Sequence, residues 1–285
     1  MQTPLEEHAG LAKAIGIDRL FLKREDFQLT GSFKERAAER QIEHLVERGK
    51  TEAVVSSSGN AAIALAREAR DQGVKLFALV SPELLGEKFE TLLSFHPIVI
   101  QSRRAMRLAN YLSAHHRLPN LRPSVDDHAV VGFVPLGEEI DEQMRAHGGA
   151  GTVVSFMTSG ASLLGMTKGY CSEPRPVFVA VTNEEVGRMG TARGRREEVS
   201  MVAEVAIVSK EEIERAQALL WEHGIEVASE ATAAFAWIVR KKPRGNVVWV
   251  VSGKAWASKT RDKEPKVNVY HAETFEEVDR IYEED

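Results

Sequence analysis

Apolar stretches of strand length alternate with amphipathic stretches of helical period along nearly the whole chain. Short runs rich in Val, Ile, Leu and Phe predict strands over residues 19–23, 53–56, 75–80, 98–101, 152–157, 177–181, 203–208, 225–228 and 247–251. Between them, apolar positions recurring at helical spacing predict helices over 33–48, 60–71, 83–95, 103–115, 135–146, 162–170, 210–223 and 231–240. The first of these helices carries Phe33, Ala37, Ile42, Leu45 and Val46 on its apolar side. A short extended piece is expected at 122–125. Strands that read as continuous apolar runs are buried on both faces, which is the habit of parallel sheets covered by helices. The pattern therefore predicts an α/β fold of open parallel sheets with helices on both faces.

Length and composition sharpen this only modestly. At 285 residues the chain exceeds the usual single-domain size, so one large domain or two smaller ones is expected. A hydrophobic fraction of 43% is too high for disorder. A net charge of −5 and a pI near 6.0 argue against a nucleic-acid scaffold, whose affinity comes from basic contacts to phosphate. No apolar run reaches the roughly 18 residues that span a bilayer, so no membrane partner is expected. Residues 1–8 lack a basic stretch followed by an apolar one, so a cytoplasmic location is expected. Cys171 is the only cysteine, which excludes an intramolecular disulfide and a cysteine-based metal cluster. The nine histidines show no metal-ligand spacing, and His115 and His116 read as neighbours on different faces of an exposed helix. No metal is expected.

Four segments could carry chemistry. In Gly31-Ser32-Phe33-Lys34-Glu35-Arg36, Ser32 and Glu35 have the spacing of a capping box, with Ser32 as the N-cap. Lys34 then falls in the first helical turn, where the helix dipole disfavours an ammonium and favours the neutral amine that Schiff-base chemistry requires. A surface lysine near a helix start is the plain alternative. Ser56-Ser57-Ser58-Gly59-Asn60 lies between a strand and a helix, where anions and polar ring substituents bind. An ordinary N-cap would look the same. Thr158-Ser159-Gly160-Ala161-Ser162 repeats that placement and suits phosphate oxygens, although only one glycine lies in the loop. Ser252 ends the apolar run 247–251 and offers one hydroxyl at a strand's carboxyl end. The charged run 183–200 reads as a solvated loop. Gly-x-Ser-x-Gly, Gly-x-Gly-x-x-Gly and the P-loop pattern are all absent from the sequence.

Taken in order, these segments resemble the fold-type II pyridoxal-phosphate enzymes, which include threonine synthase, threonine and serine dehydratases, cysteine synthase and the tryptophan synthase β chain. The resemblance implies pyridoxal 5′-phosphate as cofactor and Lys34 as the residue bonded to it and the catalytic base. It assigns Asn60 to the cofactor ring, and Ser57, Ser58 and Gly59 to the substrate carboxylate. Thr158, Ser159, Gly160, Ala161 and Ser162 would hold the phosphate, and Ser252 would meet the pyridine nitrogen with a neutral hydroxyl. It further implies a homodimer acting on a small amino acid, with a cofactor cleft between two domains: residues 1–37 plus 133–285 as the larger, and 38–132 as a smaller mobile one. The segments around Asn60 and 151–169 look closest to threonine synthase, which converts O-phosphohomoserine to threonine. The stretch 22–33 looks as much like a threonine or serine dehydratase, and a β-replacement enzyme such as cysteine synthase stays open. Threonine synthases commonly carry Asp where this chain has Glu35. A non-catalytic relative that keeps the fold is the competing class, and the glycine-poor phosphate loop is the feature that supports it.

Overall fold

The computed structural model describes residues 1–57, 59–84, 86–184, 186, 193–257 and 268–285. The chain divides into two compact units: Met1–Phe33 with Val130–Ala255, and Lys34–Ala129 with Trp256–Asp285.

In the first unit the chain forms β1 (Leu5–Glu7), α1 (Ala9–Ile15) and β2 (Arg19–Lys23), and returns later as α7 (Val134–Arg145), β6 (Thr152–Phe156), α8 (Ala161–Gly169) and β7 (Val177–Asn183). There follow α9 (Arg193–Val202), β8 (Glu204–Val208), α10 (Lys210–Glu222), α11 (Ser229–Lys241) and β9 (Asn246–Val250). Among the described residues these strands make a six-stranded sheet in the order β1-β2-β9-β6-β7-β8, parallel except for β1 at one edge. One face is covered by a core running from Leu11 and Ile15 through Phe235 and Trp237 to Trp249, whose indole donates to Ala231 O. Elsewhere α8 closes on α7 through Gly137, Gly165 and Gly169, where any added Cβ would lie 2.0–2.4 Å from the facing chain. Gly165 thus serves helix packing. At the carboxyl end of β2, wholly buried Lys23 is held by Glu139 (2.6 Å), Gln143 (2.9 Å) and Thr3 O (2.8 Å), so this internal charge is paired and hydrogen-bonded.

The second unit comprises α2 (Lys34–Glu47), β3 (Glu52–Ser56), α3 (Asn60–Asp71), β4 (Lys75–Val80), α4 (Glu87–Leu93), β5 (Ile98–Gln101), α5 (Ala105–His115), and the C-terminal pair β10 (Val269–His271) and α12 (Phe275–Glu284). A short helix, α6 (His128–Gly132), lies where the chain passes from this unit to the first. The sheet is parallel in the order β10-β5-β4-β3, with apolar clusters on both faces. No helix of the described residues is long and apolar enough to cross a membrane.

The α/β class expected from the hydrophobic pattern is the one observed. Several expectations need correction. The run 225–228 is not a ladder strand; Val227 makes one isolated bridge, to Lys254. The stretch 122–125 is a turn, with the amide of Val125 donating to Arg122 O. Part of the expected loop 183–200 is helix α9, and its Arg195 is buried. The C-terminal end does not join the larger unit, because β10 pairs with β5.

Candidate active site

In the first unit, the chain leading to Lys34 and the chain leaving β9 are stitched together. Ser32 bridges Gly253, the amide of Phe33 donates to Ser252 O (3.1 Å), and that of Lys254 donates to Gly31 O (2.9 Å). Gly31 sits at φ +74°, with the Lys254 side chain across it at 2.8–2.9 Å from where a Cβ would stand. Glycine takes this left-handed conformation without strain, and a larger residue would also have to push the Lys254 side chain aside. The expected capping box does not form. The helix starts at Lys34, and Ser32 Oγ is buried with no hydrogen-bond partner. A tertiary bridge has taken the serine's backbone, so the local N-cap signal loses. Within the second unit the Glu35 carboxylate pairs with Arg67 of α3 (2.8 Å), and Arg67 also contacts Glu68, which ties α2 to α3. Burial raises the Glu68 carboxyl above its ordinary value despite Arg67.

Lys34 itself is half-buried and opens α2, so the residue lies in the first turn as expected.

The other candidate segments lie at strand ends. Beyond β6, Gly160 is the N-cap of α8 at φ +87°, without a side-chain cap and without an acidic residue in the first turn. The amide of Ala161 reaches Ser159 Oγ only at 3.4 Å. Thr158 and Ser159 are half-buried, while Gly160, Ala161 and Ser162 are buried. A Cβ on Gly160 would meet Val199 at 2.8 Å and Arg195 at 3.1 Å, so α9 packs directly on this turn. Hydroxyls at Ser155 and Thr182, each one residue from the end of its strand, are also buried without partners.

In the second unit, beyond β3, Gly59 is the N-cap of α3 at φ +133° and ψ −73°, again with no side-chain cap and no acidic residue in the first turn. Ser57 Oγ accepts from the Gly59 amide (3.2 Å), and Asn60 Oδ1 is buried with no partner. Ser58 lies outside the described residues. Orphaned buried polar atoms cost about 1–3 kcal/mol each, so a bound polar group is the natural completion of such positions. A phosphate suits the open start of α8, a carboxylate or polar ring substituent that of α3, and Lys34 a carbonyl carbon. Taken one by one, these groups fit the chemistry of pyridoxal 5′-phosphate.

Sequence reasoning missed three features: the buried Ser32 hydroxyl, the Glu35–Arg67 pair, and a contact between His115 and His116. Their rings meet edge to face with centroids 4.9 Å apart, rather than pointing away from each other. Nothing in the local spacing signals any of them.

Residues 1–253 match the family described as pyridoxal-phosphate dependent enzyme. The chain belongs to this family. It is a fold-type II member, and its cofactor is pyridoxal 5′-phosphate. The serine dehydratase-like protein of Rattus norvegicus is 31% identical over 174 residues, which is 59% of this chain and 51% of that protein. The threonine synthase of Methanosarcina acetivorans is 29% identical over 149 residues, 50% of this chain and 36% of that one. Among solved structures, a threonine deaminase from T.th. superposes with a TM-score of 0.75 at 23% identity, covering 93% of this chain and 94% of that one. The chain thus shares that fold along nearly its full length, and spans about half the length of the serine dehydratase-like relatives it matches.

Proposed function

We propose that this pyridoxal-phosphate enzyme is a dehydratase that eliminates the β-hydroxyl of L-serine or L-threonine, releasing ammonia and a 2-oxo acid. The observation that carries the choice is the match to the serine dehydratase-like relative, which is more extensive and at higher identity than the match to threonine synthase. Glu35, where threonine synthases commonly have Asp, points the same way. This displaces the threonine synthase-like reading as the first choice.

Each side chain has a definable task. The phosphate would be held by the turn Thr158, Ser159, Gly160, Ala161 and Ser162, whose helix start offers unbonded amides. Asn60 would meet the ring substituent, and Ser252 would offer the pyridine nitrogen a neutral hydroxyl. Ser57, Ser58 and Gly59 would bind the substrate carboxylate at the open start of α3. When bound, the cofactor supplies the electron sink that makes the substrate's α-hydrogen acidic. Lys34 Nζ, on the first residue of α2, would then take that proton. The β-hydroxyl leaves as water, and hydrolysis of the resulting enamine or imine yields ammonia and the 2-oxo acid. The homodimeric state belongs to this proposal through the family resemblance alone.

The test is an end-point assay of ammonia and 2-oxo acid from L-serine and L-threonine, beside phosphate release from O-phosphohomoserine, with wild type and Lys34→Ala. Ammonia and 2-oxo acid in equal amounts, lost at least about 1,000-fold in Lys34→Ala, is the expected result, in the range that removal of a catalytic base and covalent anchor produces. Phosphate release without ammonia would return the assignment to threonine synthase. A cofactor-loaded protein that turns over none of the three would favour the non-catalytic relative.

A further inference from the structure

Away from the candidate active site, the second unit gathers three metal-ligating side chains from distant parts of the sequence. His115 and His116 end α5, and Asp279 comes from α12. One ligand atom of each lies within 4.8 Å of the others. Asp279 belongs to the stretch beyond residue 253, outside the family match, so the cluster is a property of this chain rather than of the cofactor site.

The geometry has the features of a ligand set. His116 Nε2 lies 2.8 Å from Asp279 Oδ1, a hydrogen bond, and the pair need separate by only about 0.6 Å to reach the roughly 3.4 Å between two ligands of a tetrahedral zinc. The other carboxylate oxygen, Oδ2, accepts from Tyr111 Oη at 2.6 Å, which orients the carboxylate and leaves Oδ1 to the imidazoles. Such outer-shell hydrogen bonds are how metal sites fix their ligands. The ring of Tyr111 is itself held between His115 (5.2 Å, 12° between planes) and Phe275 (4.3 Å, 19°). The carboxyl end of α5 adds the negative end of a helix dipole, which favours a cation there. His115 is exposed, so its side chain has room to turn toward the shared point, and the remaining positions would go to water. Two imidazoles and one carboxylate select zinc and its neighbours over magnesium or calcium, which prefer all-oxygen sites.

We propose that His115, His116 and Asp279 bind a divalent metal of the zinc class and thereby pin the C-terminal helix α12 to α5. The cofactor-loaded full chain, desalted and treated with chelator, is titrated with zinc chloride by calorimetry, and its melting temperature is followed in parallel. The wild type should take up one zinc at this site and melt at a higher temperature with it, whereas magnesium chloride should give no saturable uptake. His115→Ala should weaken zinc uptake at least tenfold and abolish the shift in melting temperature. Because His115 touches the network through ring contacts, this variant keeps the Tyr111–Asp279–His116 hydrogen bonds and the fold they support. Asp279→Asn should weaken uptake at least as much. Absence of saturable zinc uptake by the wild type, or uptake and thermal shift undiminished in His115→Ala, would overturn the proposal and leave a hydrogen-bonded helix clamp.

Discussion

Two pairs of helices in this molecule begin in opposite ways. Helices α10 and α12 start with full capping boxes: Ser209 with Glu212, and Thr274 with Glu277. Their first turns also carry acidic residues, Glu211 and Glu212 in one and Glu276 and Glu277 in the other. Side chains thus satisfy the orphan amides and neutralise the positive end of the dipole. Helices α3 and α8 begin three or four residues past the ends of buried parallel strands, on left-handed glycines, with neither a capping side chain nor an acidic residue. The start of α5, also beyond a strand end, is served by Ser102 Oγ and by the Glu273 carboxylate. Open starts at α3 and α8 have the electrostatics of anion sites, and under the proposed function these are the starts that would hold ligand groups.

The largest effect should come from closing one open start. In Gly160→Val a branched side chain is forced onto φ +87° and into Val199, 2.8 Å from the first added atom. The turn must rebuild, and with it the amides offered to phosphate. Cofactor affinity, measured by titrating apoprotein with pyridoxal phosphate and following its absorbance, should fall at least 100-fold. Full retention of affinity would remove α8 from the phosphate role.

Asn60→Ala should have a smaller and more selective effect. Its buried Oδ1 has no partner in the protein, so removing it discards an unsatisfied atom, and alanine suits the first position of a helix. Unfolding of the apoprotein by urea should show stability unchanged or raised by up to about 1 kcal/mol, while cofactor affinity drops about tenfold. If stability falls and affinity holds, the asparagine is structural and the contrast between helix starts loses one of its members.

The sequence showed this arrangement unevenly, for identifiable reasons. Strands at 19–23, 75–80 and 98–101 and the helix at 60–71 are visible to the residue, because buried apolar runs and an alanine-rich helix depend on local composition. The open starts of α3 and α8 are legible as small polar residues after a strand. Ser32 misleads because its capping signal is local, whereas the bridge to Gly253 that overrides it joins positions far apart in the chain. β10 escapes the pattern because a three-residue strand shows no alternation, whereas α12 is legible and sequence reasoning missed it: Phe275, Val278, Ile281 and Tyr282 recur at helical spacing behind a Thr-x-x-Glu start. The Asp279 contact with His116 spans 163 positions, and no spacing rule reaches that far.

A capped start should show the reverse of Asn60. Thr274→Ala removes the hydroxyl that accepts from the Glu277 amide (3.2 Å), at a cost of about 1 kcal/mol in stability, typical of a lost N-cap. Cofactor affinity should not change. A matching fall in affinity, seen in the same absorbance titration, would mean that capped and open starts are not independent.

The smallest effect is acid sensitivity at the same capped start, and its sign follows from the protons. Glu277 accepts from the backbone amides of Glu273 and Thr274, and these bonds hold its carboxyl below the ordinary 4.5. A carboxyl whose value is depressed by folding stabilises the native state above its unfolded value, and that contribution is lost as pH falls through the depressed one. Glu277→Gln should therefore lower the melting temperature of chelator-treated protein at neutral pH, and the deficit should shrink as the pH drops below 4.5. Helices α3 and α8 have no acidic residue in the first turn to titrate in this way, so their starts should add no such term to the acid limb. A deficit that stays constant down to about pH 3 would show that the Glu277 carboxylate charge contributes nothing there and that only the shape of its side chain matters.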